Sequence, residues 1–329
     1  MNFQTTPTLN RRQFVASALG TVAIARSGFA AVPRVNGVRI GLQSACFTYS
    51  GMGLDEIIKT MRDLGLGEID VMSEHVENYL GAPVQLPGTG RPGPWVNRAA
   101  NASAPRPPQA GPPGGPPRPG FGRGPDPAAR EALRKWRLEA DLDKFRAVGK
   151  KFSDAGLSFF SYNLSFSESF TDEEIDKGML MTKALGTRII TASTPASLFA
   201  RLAPFAEKHD IIVAIHNHTN GPEEFEQAMA ASKNAWVNLD VGHFFASGYD
   251  PVAYLKEHHS RITNIHIKDR KKDRGAEMPF GQGDTPLKEV LQLVRQEKYD
   301  FPVCIEYVGP DGPPVELKRC LDYAKSVLA

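Results

Sequence analysis

Ile211-Ile212-Val213-Ala214-Ile215-His216, Val237-Asn238-Leu239-Asp240, Ile262-Thr263-Asn264-Ile265-His266 and Val303-Cys304-Ile305-Glu306 are four short apolar runs, each closing on an imidazole or a carboxylate. Segments with helical apolar spacing separate them. Short buried strands alternating with helices make a parallel sheet, and a parallel sheet delivers the ends of its strands to one edge. These runs therefore bring two histidines and two acids to a common edge.

Working outward, the same alternation extends to the start of the chain. Val38–Gln43 and Glu68–Met72 read as the first two strands, with a helix over Leu54–Leu64 whose apolar residues Leu54, Ile57, Ile58, Met61 and Leu64 share a face and which stops at Gly65. The spacing of Leu133, Trp136, Leu142, Phe145 and Val148 predicts one long helix from Ala128 to Ala155. Strands follow at 157–162 and 187–191. Further helices are predicted from Asp172, with Thr171 as N-cap, from Pro195, and near Pro222, Asp250, Pro286 and Pro314. Eight strand-helix units in one domain predict a closed (β/α)8 barrel, the TIM barrel, rather than an open doubly wound sheet. No glycine-rich phosphate loop follows the first strand, which removes the main support for a dinucleotide fold.

Two segments stand outside this pattern. Residues 83–127 hold 14 of the 26 prolines and almost no aliphatic side chains. Such a stretch cannot offset its ordering entropy by burial and is predicted to be a disordered insertion after the second strand. Residues 1–31 contain Arg11-Arg12, a mildly apolar run to Ala25 and small residues at Gly28, Ala30 and Ala31, which is the pattern of an export signal. The paired arginines resemble the twin-arginine class, which carries folded proteins to the periplasm. The expected organisation is a signal over 1–31 and a single barrel domain over 32–329.

The net charge of +2 includes Arg11, Arg12 and Arg26, so removing those three leaves the remainder at −1. That balance recommends neither nucleic acid nor another polyanion as a partner. The apolar run of the signal is too short for stable membrane insertion. Cys46, Cys304 and Cys320 are too widely spaced for a CxxC metal site and too few for a disulfide framework, and Cys304 reads as a small core residue.

Barrel enzymes carry their chemistry at the C-terminal ends of the strands. His216, Asp240, His266 and Glu306 occupy that position on four consecutive strands, and their mixture of nitrogen and oxygen donors suits Mn²⁺, Zn²⁺, Co²⁺ or Fe²⁺ better than Ca²⁺. His218 and His243 should sit on the rim, where they can hold substrate hydroxyls or move protons. Lys268 is a candidate for substrate contact, and Asp269 for orienting a ligand imidazole. His258-His259 reads as a cap or surface pair.

The order Asp240-Val241-Gly242-His243, His266-Ile267-Lys268-Asp269, Phe280-Gly281-Gln282-Gly283-Asp284, Ile305-Glu306-Tyr307 resembles the xylose isomerase-like barrel family of sugar phosphate isomerases and epimerases. The resemblance covers Val38 to Leu328 apart from the insertion. It implies one divalent metal, with Mn²⁺ foremost and Mg²⁺ also in range, held by a glutamate, an aspartate, a histidine and a glutamate after strands five to eight. Asp240, His266 and Glu306 match directly. His216 stands where the first glutamate is expected, and Asp70 where many relatives carry a second-strand glutamate.

Family epimerases use the two glutamates as paired acid-base groups, so the imidazole at 216 is a departure. The resemblance implies a small sugar substrate and removal of the proton α to a carbonyl by Glu306 or His216, with His243 assisting. Loss of a β-substituent from a keto-sugar or a 3-keto-glycoside is the alternative outcome. A metal-dependent abasic-site endonuclease would need more early-strand ligands than His75 offers. A non-catalytic sugar-binding module would tolerate loss of the metal. An oligomer is compatible with all of these.

Overall fold

The computed structural model describes residues 32–88 and 126–329. Eight parallel strands close on themselves: β1 (Val38–Gln43), β2 (Glu68–Met72), β3 (Ser158–Asn163), β4 (Ile189–Ala192), β5 (Ile212–His216), β6 (Ala235–Asp240), β7 (Ile262–Ile267) and β8 (Val303–Ile305). Each pairs with its sequence neighbour, and β1 closes the ring by pairing with both β2 and β8. A two-residue strand, Arg34–Val35, folds back antiparallel on β1. The strands are buried on both faces, as a ring sheathed by helices requires, and the buried apolar residues form one continuous core.

Eleven α-helices occur among the described residues. Those that shape the site are α2 (Ser73–Tyr79), α3 (Pro127–Glu139), α4 (Leu142–Asp154), α5 (Asp172–Ala184) and α8 (Val241–Ala246). Thr171 caps α5 as expected, its hydroxyl accepting from the Glu174 N–H at 3.2 Å.

The single helix expected over 128–155 is instead two, α3 and α4. The apolar spacing runs on across the break, but Ala140 adopts φ −58°, ψ 131°, and the Asp141 carboxylate caps a new helix by accepting from the Asp143 N–H at 2.9 Å. Capping chemistry outweighs periodicity here. The 83–127 insertion and the 1–31 signal fall almost wholly outside the described residues. The three cysteines are buried and unpaired. His258 and His259 stack on Tyr254 and Tyr299, with ring centroids 4.3 and 4.6 Å apart.

Candidate metal centre

Register places the four residues together. Asp240 on β6 is paired with His266 on β7, and Cys304 on β8 is also paired with His266, so Glu306 lies just past the end of its strand. One donor atom from each of His216, Asp240, His266 and Glu306 lies within 4.8 Å of the others. Three of these side chains turn a buried atom to the centre that makes no well-formed hydrogen bond: Asp240 Oδ2, and His266 Nδ1 and Glu306 Oε2, which lie 3.0 Å from each other. Buried polar atoms are nearly always satisfied, so three such atoms converging on one point fit a shared cation.

The ring nitrogens facing away from that point are held. His216 Nδ1 donates to Asn238 Oδ1 at 2.7 Å, and Asn238 is itself fixed by donating to the Asn264 carbonyl, so His216 Nε2 presents a lone pair to the centre. His266 Nε2 donates to Asp70 Oδ2 at 3.0 Å, leaving Nδ1 as its ligand atom. Asp70 is fully buried and also accepts from Thr191 Oγ1 and Gln43 Nε2. Such outer partners set the tautomer and angle of a ligand imidazole. Asp240 divides its carboxylate: Oδ1 accepts from the His243 N–H at 2.7 Å, capping α8, and Oδ2 faces the centre.

Electrostatics favour positive charge at this point. Burial opposes a charge on His266, but the hydrogen bond to Asp70 and the Glu306 carboxylate beside it push it up to about 9. Burial, reinforced by His266, holds His216 neutral, well below the usual imidazole range. Lys268 is buried, with Nζ 2.6 Å from Glu306 Oε1 and 3.6 Å from Asp240 Oδ2. Burial works against its charge, yet the two carboxylates outweigh that and raise it. Burial likewise resists ionisation of Glu306, but Lys268 and His266 hold it well below the usual carboxylate range.

His243 is pulled down to about 4, by burial first. Both its ring nitrogens face cationic donors, with Arg270 Nη1 2.7 Å from Nδ1 and Lys268 Nζ 3.3 Å from Nε2. His218 is exposed on the rim, with Nε2 3.0 Å from Ser193 Oγ. A cavity of about 660 Å³ opens from His216, His218 and Glu306 toward α3.

The structure thus brings together His216, Asp240, His266, Glu306, Lys268 and His243, with His218 beside them. Asp269 is a correction. Its carboxylate does not orient a ligand imidazole but accepts the backbone N–H groups of Gly281, Gly283 and Thr285, at 2.8, 2.9 and 3.3 Å, and so shapes the 280–284 loop. Alternation along an extended chain explains the error, since His266 and Lys268 face one side and Asp269 the other. The residue that orients His266 is Asp70, which the sequence marked only by position. His75 is buried with neither ring nitrogen paired, and burial holds it down at about 4; it takes no part in the cluster.

The role given to Asp70 has a direct check. Asp70→Asn keeps the shape but weakens the hold on the imidazole, and metal affinity is expected to fall by about 10–100-fold. A chelator-competition titration giving the wild-type affinity would show that Asp70 only fills space.

Comparison with known proteins accords with this geometry. Over 129 residues the chain is 26% identical to an inosose dehydratase of Clostridium tetani, covering 32% of this chain and 43% of that protein. Over 100 residues it is 27% identical to the L-ribulose-5-phosphate 3-epimerase UlaE of Salmonella paratyphi A, covering 29% of this chain and 35% of that one. The matches thus span less than half the length of these relatives. Among solved structures, the IolI protein with a bound zinc atom superposes over 88% of this chain and 98% of its own, with a TM-score of 0.57 at 14% identity, which is a likeness of fold. The family model of the xylose isomerase-like TIM barrel matches residues 130–327, more than half of the sequence, and this chain belongs to that family.

Proposed function

We propose that the chain is a divalent-metal-dependent sugar isomerase or epimerase that removes the proton α to a carbonyl and proceeds through an enediolate. The observation that carries this reading is the convergence of His216, Asp240, His266 and Glu306 with three of their buried atoms turned to the centre without a well-formed hydrogen bond. The mixed imidazole and carboxylate set is assigned to Mn²⁺, and Zn²⁺, Co²⁺, Fe²⁺ and Mg²⁺ are the ions to compare. Zinc in the IolI structure supports a divalent ion of this class. When bound, the ion supplies Lewis-acid polarisation of the substrate carbonyl.

The chain's own residues supply the rest. Glu306 is the ligand carboxylate that also lines the cavity, and it receives the proton. Lys268 keeps Glu306 ionised before the transfer and offers N–H groups to oxygen that gains charge. His243 and His218 hold substrate hydroxyls. Return of the proton to the neighbouring carbon isomerises the sugar, and protonation of the original carbon on its opposite face epimerises it.

β-Elimination from a keto-sugar or a 3-keto-glycoside at the same centre is the second reading, and one observation favours it. His216 replaces a carboxylate, its ring is locked by Asn238, and burial denies it a proton. Elimination needs one base, whereas epimerisation across two faces needs two. Dehydratases among the similar proteins lend support.

Both readings share the α-proton step. With Mn²⁺-loaded protein in D₂O, a ketose or 3-keto-glycoside is expected to exchange its α-proton, followed by NMR. Rearranged sugar marks isomerisation, and a released aglycone marks elimination. No exchange with any keto-sugar would end both.

Export through the twin-arginine route is part of the same proposal, supported by Arg11-Arg12 and the small residues before Val32. Cell fractionation is expected to find the chain in the periplasm, and the pair Arg11→Lys, Arg12→Lys to hold it at precursor length in the cytoplasm. Unchanged distribution would remove this element alone.

A further inference from the structure

The wall of the cavity over the metal centre mixes two chemistries. Its polar residues include Gln43, Ser165, Ser193 and His218, which are linked through hydrogen bonds to the metal side. Its apolar residues are Met72, Val84, Leu133, Leu164 and Phe170, of which Leu133 lies on α3 and Phe170 packs under Arg130 and Arg137 of the same helix. The cavity volume of about 660 Å³ is well above what one hexose ring fills. A single sugar ring on the metal would leave the apolar part of the wall against water, where apolar surface gains nothing from burial.

Charge beside these apolar residues argues against a phosphate. Arg130 and Arg137 both line the cavity, but neither is free: Arg137 pairs with Glu77 and Glu174, and Arg130 with Glu174. Both guanidinium groups also lie over the Phe170 ring, at 4.6 and 5.1 Å from its centroid. Glu74 also lines the cavity, and with the buried Glu77 and Glu174, which are paired to the guanidinium groups, three acids accompany two cations among the described residues. The buried Arg130 Nη1 has no hydrogen-bond partner and offers one donor to a neutral oxygen. A phosphate dianion would meet excess negative charge, whereas an uncharged ether or hydroxyl meets a donor.

We propose that the part of the cavity between Val84, Leu133, Leu164 and Phe170 is a second subsite, which takes an uncharged apolar group joined to the sugar that sits at the metal. The substrate class is then a neutral two-part molecule, a sugar bearing an aromatic or otherwise apolar substituent, and not a sugar phosphate. This inference rests on the metal-assisted sugar reading above for the polar part of the cavity. The apolar part rests on the wall itself.

Binding to the Mn²⁺-loaded full chain, measured by calorimetry, tests it with three probes: glucose, phenyl β-glucoside and glucose 6-phosphate. Phenyl glucoside is expected to bind at least about tenfold tighter than glucose, since a buried phenyl group gains more than a factor of ten from its apolar surface. Glucose 6-phosphate is expected to show no gain. Leu133→Asp, on the half-buried face of α3, should abolish the phenyl advantage while leaving glucose binding and metal content unchanged, and Val84→Asp should do the same from the opposite wall.

Equal binding of glucose and phenyl glucoside, a preference for the phosphate, no binding of either neutral sugar, or variants that keep the phenyl advantage would each overturn the proposal. The outcome is separable from that of the exchange experiment. Exchange without a phenyl advantage would confine the substrate to the metal side and sink the subsite. A phenyl advantage without exchange would keep the subsite and remove the chemistry.

Discussion

His266→Ala is expected to purify with about a tenth or less of the wild-type metal content and to lose α-proton exchange by about 10³-fold or more, since a few kcal/mol of lost polarisation is worth that much in rate. The effect is large because His266 joins two sets of carboxylates. Its Nδ1 faces Asp240 and Glu306 at the centre, and its Nε2 holds Asp70 behind it. Without the ring, Asp240 and Glu306 are left with Lys268, and Asp70 loses its one ion-pair contact among the described residues. Element analysis of the purified variant beside the wild type reads the first effect, and exchange in D₂O the second. Full metal content with full exchange would show that the four donors do not act as one site. Removing the metal from the wild type with a chelator should reproduce the kinetic loss, and added Mn²⁺ should reverse it.

Arg137→Ala should cost about 3–5 kcal/mol of stability, the usual penalty for leaving a buried acid without its cation. Arg137 is the one buried residue of α3, and it spans α2 and α5 through a two-point contact with Glu77, at 2.7 and 2.9 Å, and a third bond to Glu174 at 3.0 Å. Tyr162 adds a hydrogen bond to Glu77. Burial already raises Glu77, and Arg137 opposes that rise. In the variant the opposition disappears and Glu77 rises further. An acid whose folded value lies above its unfolded one penalises folding as pH climbs past the unfolded value, so the deficit should be larger at about pH 8 than at about pH 5. Denaturant titrations at the two pH values check both size and sign. Should the alanine variant fail to fold, Arg137→Met with Glu77→Gln, which removes the stranded charge, is expected to recover part of the loss. A deficit independent of pH would locate the cost in packing instead.

The barrel itself was open to reading because its signals are local. Eight apolar runs and the helices between them need only spacing, and the ligands needed only their place at the strand ends. What stayed hidden depends on register or on distant partners. Asn238 lies two residues before Asp240, and Asn264 two before His266, so alternation alone turns these polar groups to the ligands' side. A polar residue inside a buried strand was a signal that could have been used. Asp70 is 196 residues from His266, and only closure of the ring sets them side by side. The Arg137 network is likewise invisible in sequence, because charged residues on an amphipathic helix read as a solvated face. The break at Ala140 shows the reverse case, in which the structure follows a local signal, the Asp141 cap, against the apolar periodicity.

Asp240 serves the α8 N-terminus with one oxygen and the centre with the other. The His243 amide proton is therefore a natural spectroscopic gauge of occupancy. Any ion that draws electron density from the carboxylate weakens its pull on that proton, so with a diamagnetic ion such as Zn²⁺ the backbone signal of a single residue in isotope-labelled protein records loading without a substrate.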